Sequence, residues 1–114
     1  MNFEIRFSRE FQRRAKKLSK KYPSFKKDIE EIAKSLSNDP YQGVVIGPNT
    51  YKVRFKISSK GKGKSGGGRL ITYVRVVEVE TTNIINVITV YDKSEIASVP
   101  YRLIKELISD LLDD

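Results

Sequence analysis

The N-terminal third of the chain changes from a two-residue to a helical repeat of apolar positions. In residues 2–7, apolar side chains alternate with polar ones, which predicts a half-buried strand. Ser8 follows as a candidate helix N-cap, and Pro23 suits the first turn of a second helix. The apolar positions of the two helices are Phe11, Ala15, Leu18 and Tyr22 in the first, and Phe25, Ile29, Ile32, Ala33 and Leu36 in the second. This segment therefore predicts a strand followed by a helical hairpin with one apolar side.

The rest of the chain predicts three strands and a final helix. Residues 51–57 alternate apolar side chains with cations, and residues 69–78 and 84–91 are apolar on both faces, as in the centre of a sheet. Residues 80–83 predict a hairpin turn. Pro100 suits the first turn of a helix whose apolar stripe is Leu103, Ile104, Leu107, Ile108 and Leu111. Together these elements predict one α+β domain over residues 1–114, in which an N-terminal helical hairpin and a C-terminal helix pack on an antiparallel sheet.

The amino-acid composition limits the catalytic groups and metal sites that this protein can have. The 114 residues include no cysteine and no histidine, which excludes a disulfide framework, a thiolate metal site and the usual base near neutral pH. Catalysis must therefore use Lys, Arg, Tyr or carboxylates, and neither a metal nor a cofactor is expected. The chain has no apolar run long enough for a membrane span and no secretory signal, so a soluble cytoplasmic protein is expected. The net charge of +8 favours polyanionic partners, chiefly nucleic acid.

Residues 60–69, KGKGKSGGGR, contain the GKS that ends a phosphate-binding P-loop. A P-loop needs G-x-x-x-x-G-K-[ST] after a strand and before a helix. Ser58 stands where the first glycine belongs, and the residues after the loop predict a strand, which argues against nucleotide hydrolysis. The loop instead predicts either a mobile flap that binds an anion or a charged hairpin tip that keeps a sheet edge soluble. Under the first interpretation the RNA-binding lysines are Lys60, Lys62 and Lys64 of the loop and Lys56 of the strand before it.

A second set of residues predicts a site for a phosphodiester. Lys52 and Arg54 project from one face of their strand, and Arg69 begins the next strand, so antiparallel pairing can bring the three cations together. Tyr91 and Lys93 end the following strand and can reach the same region. Cations in a cleft without histidine or paired carboxylates suit the stabilisation of negative charge during attack on phosphorus, and a tyrosine ring can stack on a base. The alternatives are ordinary solubilising charges and a tyrosine at the edge of the core.

These segments also resemble a known family. KYPSFKKDIEEIAKSL, Tyr51–Arg54, GKGKSGGGRLITYV and ITVYDKSE resemble the RelE-type toxins of toxin–antitoxin modules, particularly the HigB-like branch. The resemblance implies a RelE/ParE-like fold of the microbial ribonuclease type and a metal-independent endoribonuclease that cuts messenger RNA on the translating ribosome. It also implies a cognate antitoxin as partner, together with the messenger RNA and the ribosome, and no membrane.

The resemblance implies a role for each candidate catalytic residue. Lys52 and Arg54 match the strand cations that hold the scissile phosphate or assist proton transfer, and Arg69 matches the arginine that stabilises the transition state. Lys93 stands where many relatives have arginine. Tyr91 is the candidate to replace a base-stacking tyrosine near the C-terminus of the family, because Val99 stands at the aligned position.

Two other functions fit the same sequence. One is a non-catalytic module that binds RNA or the ribosome. The other is a gyrase-targeting toxin on a similar scaffold, against which the set Lys52, Arg54, Arg69 and Lys93 argues.

Overall fold

A computed structural model describes residues 2–61, 66–77 and 82–112 of the chain. In chain order its elements are β1 (Asn2–Phe7), α1 (Arg9–Lys21), α2 (Phe25–Asn38), β2 (Val44–Gly47), β3 (Thr50–Phe55), β4 (Gly68–Val77), β5 (Thr82–Asp92) and α3 (Tyr101–Leu112). A short 3-10 helix, Ser58–Lys60, follows β3. The α+β class expected from the sequence is confirmed, whereas the first half of the expected turn at residues 80–83 lies outside the described residues.

The sheet is mixed rather than antiparallel, so the prediction of an antiparallel sheet was wrong for one pair of strands. The strand order is β1-β5-β4-β3-β2, and β1 pairs with β5 in parallel while the other neighbours are antiparallel. The physical reason is that α1 and α2 carry the chain across the sheet after β1, and a crossover of this kind allows two strands to run in the same direction.

Strand β2 was not predicted from the sequence. Val44, Val45 and Ile46 are three successive apolar residues between two glycines, so they show no two-residue alternation. Val44 and Val45 are 63% and 64% exposed, as is possible on a short edge strand that pairs on one side with β3.

Apolar side chains cover both faces of the sheet. On the first face, α1 and α2 contribute Phe11, Leu18, Phe25 and Leu36 to the core. On the second face, Ile104 of α3 packs with Ile71, Ile88 and Tyr91. This arrangement explains why β4 and β5 are apolar on both sides of the strand.

A β-bulge in β5 determines which side chains reach the second face. Ile71 pairs with Thr89 while the next residue of β4, Thr72, pairs with Val87, so Ile88 is an extra residue in β5. Without it, simple alternation would place Tyr91 on the same face as Val87. With it, Val87 contributes to the first core and Tyr91 to the second.

Ser8 connects α1 to this bulge. Its hydroxyl oxygen accepts a hydrogen bond from the Phe11 amide at 3.0 Å, which is the predicted N-cap, and its O–H donates to the Ile88 carbonyl at 2.6 Å.

None of the helices in the described part of the chain is long and apolar enough to cross a membrane.

Replacement of Ser8 is therefore expected to destabilise the fold more than replacement of an ordinary helix serine. We expect Ser8→Ala to lower the free energy of unfolding by about 1–2 kcal/mol, because the cap and the bond to the bulge are both lost. Ser37→Ala is the control, since the Ser37 hydroxyl donates only to Ala33 of its own helix at an exposed position. Urea denaturation of both variants measures the difference, and equal stability of the two would contradict this role of Ser8.

Candidate active site

The pairing of three strands places three polar side chains in one row. Arg54 of β3 is the register partner of Arg69 in β4, and Arg69 is in turn the partner of Tyr91 in β5. Directly opposed residues in a sheet project from the same face, and the bulge at Ile88 places Tyr91 on that face with the arginines. Lys52 lies two residues before Arg54 and therefore projects from the same side.

These residues line one open cleft of about 440 Å³ on the second face of the sheet. We call it the cationic cleft; its lining residues are Val44, Ile46, Lys52, Arg54, Arg69, Tyr91, Lys93 and Ala97. All five residues named as catalytic candidates lie in it. No carboxylate lines it among the residues that the structure describes, so its electrostatic potential is strongly positive.

Arg54 and Arg69 form a pair of like charges across neighbouring strands, which costs free energy in the absence of an anion. Arg69 is only 4% exposed, and one of its nitrogens, Nη1, donates to the Gly68 carbonyl at 3.0 Å. Burial, and then the charge of Arg54, lower the pKa of Arg69, although a guanidinium remains protonated at neutral pH. A bound phosphate would relieve this repulsion.

Tyr91 has a different role from the one predicted. Its side chain is 2% exposed and packs in the core with Ile71 and Ile88, so the prediction that its ring stacks on a base is wrong. Tyr91 is one of the residues that line the cleft, and its buried hydroxyl has no hydrogen-bond partner among the described residues. Burial raises the pKa of Tyr91 while the Arg69 charge opposes the shift, so the hydroxyl is a hydrogen-bond donor at neutral pH.

Lys93 enters the cleft from the turn that follows β5. Its backbone N–H donates to the Gly67 carbonyl at 3.0 Å, and its ammonium nitrogen donates to the Ala97 carbonyl at 3.0 Å. The side chain is exposed, so its ammonium group can move to a ligand by exchanging a single exposed hydrogen bond.

Two glycines before Arg69 are required for packing rather than for flexibility. A Cβ atom at Gly68 would collide with the Phe55 ring, and one at Gly67 would collide with the Phe55 carbonyl oxygen. Their small size lets the start of β4 lie close against the end of β3. The sequence interpretation treated the whole glycine-rich segment as one flap and missed this constraint.

Lys60 is part of a buried network and not of an RNA-binding surface, which corrects the sequence prediction. Its ammonium nitrogen lies 2.7 Å from a carboxylate oxygen of Asp92 and 3.0 Å from the Ser94 hydroxyl. The Lys60 and Asp92 side chains are 8% and 0% exposed, respectively. The Tyr22 hydroxyl donates to the second carboxylate oxygen of Asp92. The network therefore connects the helical hairpin and the segment after β3 to Asp92 at the end of β5. Asp92 stands between Tyr91 and Lys93 in the sequence.

The hydrogen bonds to Asp92 determine its ionisation. Burial alone would raise the pKa of Asp92, but the hydrogen bonds from Lys60, Tyr22 and Ser94 outweigh it and hold the pKa well below the usual value. Nothing in the sequence distinguished Asp92 from its neighbours except its position between two predicted site residues.

Of the other predicted RNA-binding lysines, Lys56 is the one among the described residues, and it does not line the cleft. Lys56 is exposed and lines a neighbouring groove beside α2 with Asp28 and Glu31; Arg54 lines both this groove and the cleft. Lys62 and Lys64 lie outside the described residues, as does the whole GKS sequence at residues 63–65. The segment after the glycines is a strand, β4, as predicted, and not the helix that a P-loop requires.

Comparison with protein-family models and with curated protein sequences gives no match for this chain. In residues 2–61, 66–77 and 82–112, no group of three or more His, Cys, Asp or Glu side chains is arranged to hold a metal ion. The described residues that line the cationic cleft supply four cations, Lys52, Arg54, Arg69 and Lys93, and the phenol of Tyr91.

Removal of the Asp92 charge is expected to change the acid sensitivity of the fold. Because its folded-state pKa is depressed, ionised Asp92 stabilises the protein above the unfolded pKa of about 4, and this stabilisation is lost as the pH falls below it. We expect Asp92→Asn to cost about 3 kcal/mol at pH 7, since it leaves Lys60 buried without its counter-charge, and to flatten the loss of stability below pH ~4.

The exposed Asp110→Asn is the matched control and should retain the wild-type pH dependence. Urea denaturation at a series of pH values measures both variants. An Asp92→Asn protein that loses stability with acid as steeply as the wild type would contradict the assignment.

Proposed function

We propose that the protein is a metal-independent endoribonuclease, the toxin of a toxin–antitoxin module of the RelE/HigB-like type, which cleaves messenger RNA on the translating ribosome in the cytoplasm. The single observation that carries this proposal is the cationic cleft: the opposed Arg54–Arg69 pair with Lys52, Lys93 and a buried tyrosine hydroxyl, and no lining carboxylate among the described residues. The finer assignment of the α+β fold to the RelE/ParE-like, microbial ribonuclease type belongs to the same proposal.

The segment YDKSE supports the proposal because cleft residues and supporting residues alternate in it. Tyr91 and Lys93 line the cleft, while Asp92 and Ser94 join the buried network with Lys60. This segment is among the most specific parts of the resemblance to RelE-type toxins. Asp92 stands between two cleft residues in the sequence, and its buried ion pair with Lys60 suits a site whose geometry must be held fixed.

In the proposed reaction the ribose 2′-hydroxyl attacks the adjacent phosphorus and the bond from phosphorus to the 5′-oxygen breaks. Arg69 and Arg54 stabilise the negative charge that grows on the non-bridging oxygens, with Lys93 beside them. The proton of the 2′-hydroxyl passes to solvent, and Lys52 assists this transfer by stabilising the developing oxyanion with its charge. The Tyr91 hydroxyl donates a hydrogen bond to the phosphate, and the departing 5′-oxygen takes a proton from solvent. The products are a 2′,3′-cyclic phosphate and a 5′-hydroxyl.

The partners follow from this chemistry. The described residues that line the cleft include no exposed aromatic ring, because Tyr91 is buried in the core, so the ribosome is proposed to orient the message for in-line attack. The antitoxin is proposed to neutralise the toxin with a segment that covers the cationic cleft.

A second candidate is a non-catalytic module that binds RNA or the ribosome. The observation that favours it is the lack of an evident general base: the described residues that line the cleft include no histidine and no carboxylate, and the raised pKa of Tyr91 keeps its hydroxyl protonated. Cleavage distinguishes the two candidates.

We expect induction of the protein in cells to arrest growth and to cut messenger RNA inside translated frames. Arg69→Ala and Arg54→Ala should each slow cleavage by roughly 100-fold or more, because each removes a cation that stabilises the transition state. Arg54 is exposed, so its replacement leaves the core intact. Arg75→Ala is the matched control, since Arg75 is an exposed arginine of the same strand as Arg69 but lies outside the cleft.

Mapping of message ends by RNA sequencing, with circular dichroism of each purified variant, measures these effects. Intact messages after induction of the wild type would exclude the nuclease. Cleavage by a folded Arg54→Ala protein at the wild-type rate would exclude this cleft as its site.

A further inference from the structure

One side of the cationic cleft is apolar. Among the lining residues that the structure describes, Val44, Ile46 and Ala97 have purely aliphatic side chains, and we call these three the aliphatic wall. Val44 is 63% exposed, and Ala97 is exposed as well. The proposed reaction uses the cations and the phenol of the cleft and gives the wall no role. Exposed apolar surface that lines a cleft together with convergent polar groups is typical of a ligand-binding site.

Strand pairing places the aliphatic wall beside the cations. Val44 of β2 is the register partner of Lys52 in β3, so both side chains project from the second face of the sheet. Arg54 follows Lys52 two residues along β3, a distance of about 7 Å, and neighbouring strands lie about 5 Å apart. The backbone at Val44 is therefore roughly 8 Å from the backbone at Arg54. A ligand of this length contacts the wall and the arginine row together.

The end of β2 packs against α3, which holds the aliphatic wall in place. β2 has a bulge between Val45 and Gly47, where Ile46 is an extra residue. Ile46 packs against the core of the second face and is only partly exposed. A Cβ atom at Gly47 would collide with the ring and the hydroxyl of Tyr101, the first residue of α3. The wall is therefore part of the packed second face and not a free sheet edge.

A nucleotide matches both parts of the cleft. Its phosphate is an anion that arginines bind, and its base, one ribose away, presents flat apolar faces that gain free energy when the wall removes them from water. A second copy of this chain would instead bring cations against cations, which opposes association. A carboxylate of an acidic peptide offers two acceptor oxygens. A phosphate offers more, which suits three donors in one row, Arg54, Arg69 and the Tyr91 hydroxyl.

We infer that the aliphatic wall holds a nucleobase of the RNA beside the scissile phosphate, by contact with the flat face of the base. The inference rests on the proposed function, because it takes RNA as the ligand of the cleft. Val44 then takes the place of the base-stacking tyrosine that the resemblance implies and that Tyr91 does not supply. Since none of the three side chains carries a hydrogen-bonding group, the wall distinguishes bases by size and not by their edges.

The experiment compares two dinucleotides that the protein cannot cleave. One is adenylyl-adenosine with a 2′-O-methyl group in place of the attacking hydroxyl, and the other is the same molecule without its two bases. We expect the wild-type protein to bind the first about fivefold more tightly, as expected for about 40 Å² of apolar contact. Titration followed by NMR measures both dissociation constants.

Two adjacent valines provide a matched pair of variants. Val45 is 64% exposed, like Val44, but it pairs with Tyr51, which packs with the core of the first face, and it does not line the cleft. Val44→Ser should remove most of the fivefold gain from the bases, whereas Val45→Ser should keep it. Arg54→Ala should weaken both dinucleotides alike, because it removes a phosphate contact. Circular dichroism confirms the fold of each variant.

The identity of the base gives a further test of contact through its face. Guanine in place of adenine should leave the affinity unchanged, and the smaller cytosine should lower it about twofold. A tenfold difference between adenine and guanine would mean that the base edges are read by hydrogen bonds, which would overturn the inference.

The inference is also overturned if neither dinucleotide binds, if both bind equally, or if the gain from the bases survives in Val44→Ser. An acidic peptide whose binding Val44→Ser weakens, while the dinucleotide binds that variant normally, would make a protein segment the occupant of the wall. None of these measurements requires cleavage. Intact messages after induction would therefore exclude the nuclease without changing the affinities that test the wall.

Discussion

The register of β4 against its two neighbours is the constraint on which the candidate site depends. That register places Arg54, Arg69 and Tyr91 in one row across three strands, so two arginines stand opposite each other in a cleft that no carboxylate lines among the described residues. Opposed like charges destabilise a sheet, so the fold must supply enough stability from elsewhere to hold them. The apolar cores on both faces of the central strands provide that stability.

Three local features maintain this register. Gly67 and Gly68 let the start of β4 approach Phe55, since any side chain there would strike the end of β3. The extra residue at Ile88 rotates the end of β5, so that Tyr91 faces the cleft. The buried ion pair with Lys60 then holds Asp92, which stands between Tyr91 and Lys93 in the sequence, in a fixed position. Asp92, which contacts no ligand in the proposed reaction, thus positions Tyr91 and Lys93, which do.

The sequence predicted those parts of the structure that follow from a regular spacing of apolar residues. Alternation and helical spacing gave the helices, the central strands and the common face of Lys52 and Arg54, because these depend on local periodicity. What it missed depends on contacts between distant segments. The burial of Tyr91 required the bulge, the pairing of Lys60 with Asp92 joined residues 32 positions apart, and the parallel pairing of β1 with β5 required the crossover of the whole hairpin. The sequence around Lys60 does not show whether its side chain is exposed in a basic loop or buried in an ion pair.

The most direct test of the central claim is the chemistry of the cut ends. If the cleft stabilises attack by the 2′-hydroxyl, mass spectrometry of messages cut on ribosomes by the purified protein will find a 2′,3′-cyclic phosphate on the upstream fragment and a 5′-hydroxyl on the downstream one. A 3′-hydroxyl with a 5′-phosphate would mean that water, not the ribose, is the nucleophile. That result would contradict the role proposed for the cationic cleft.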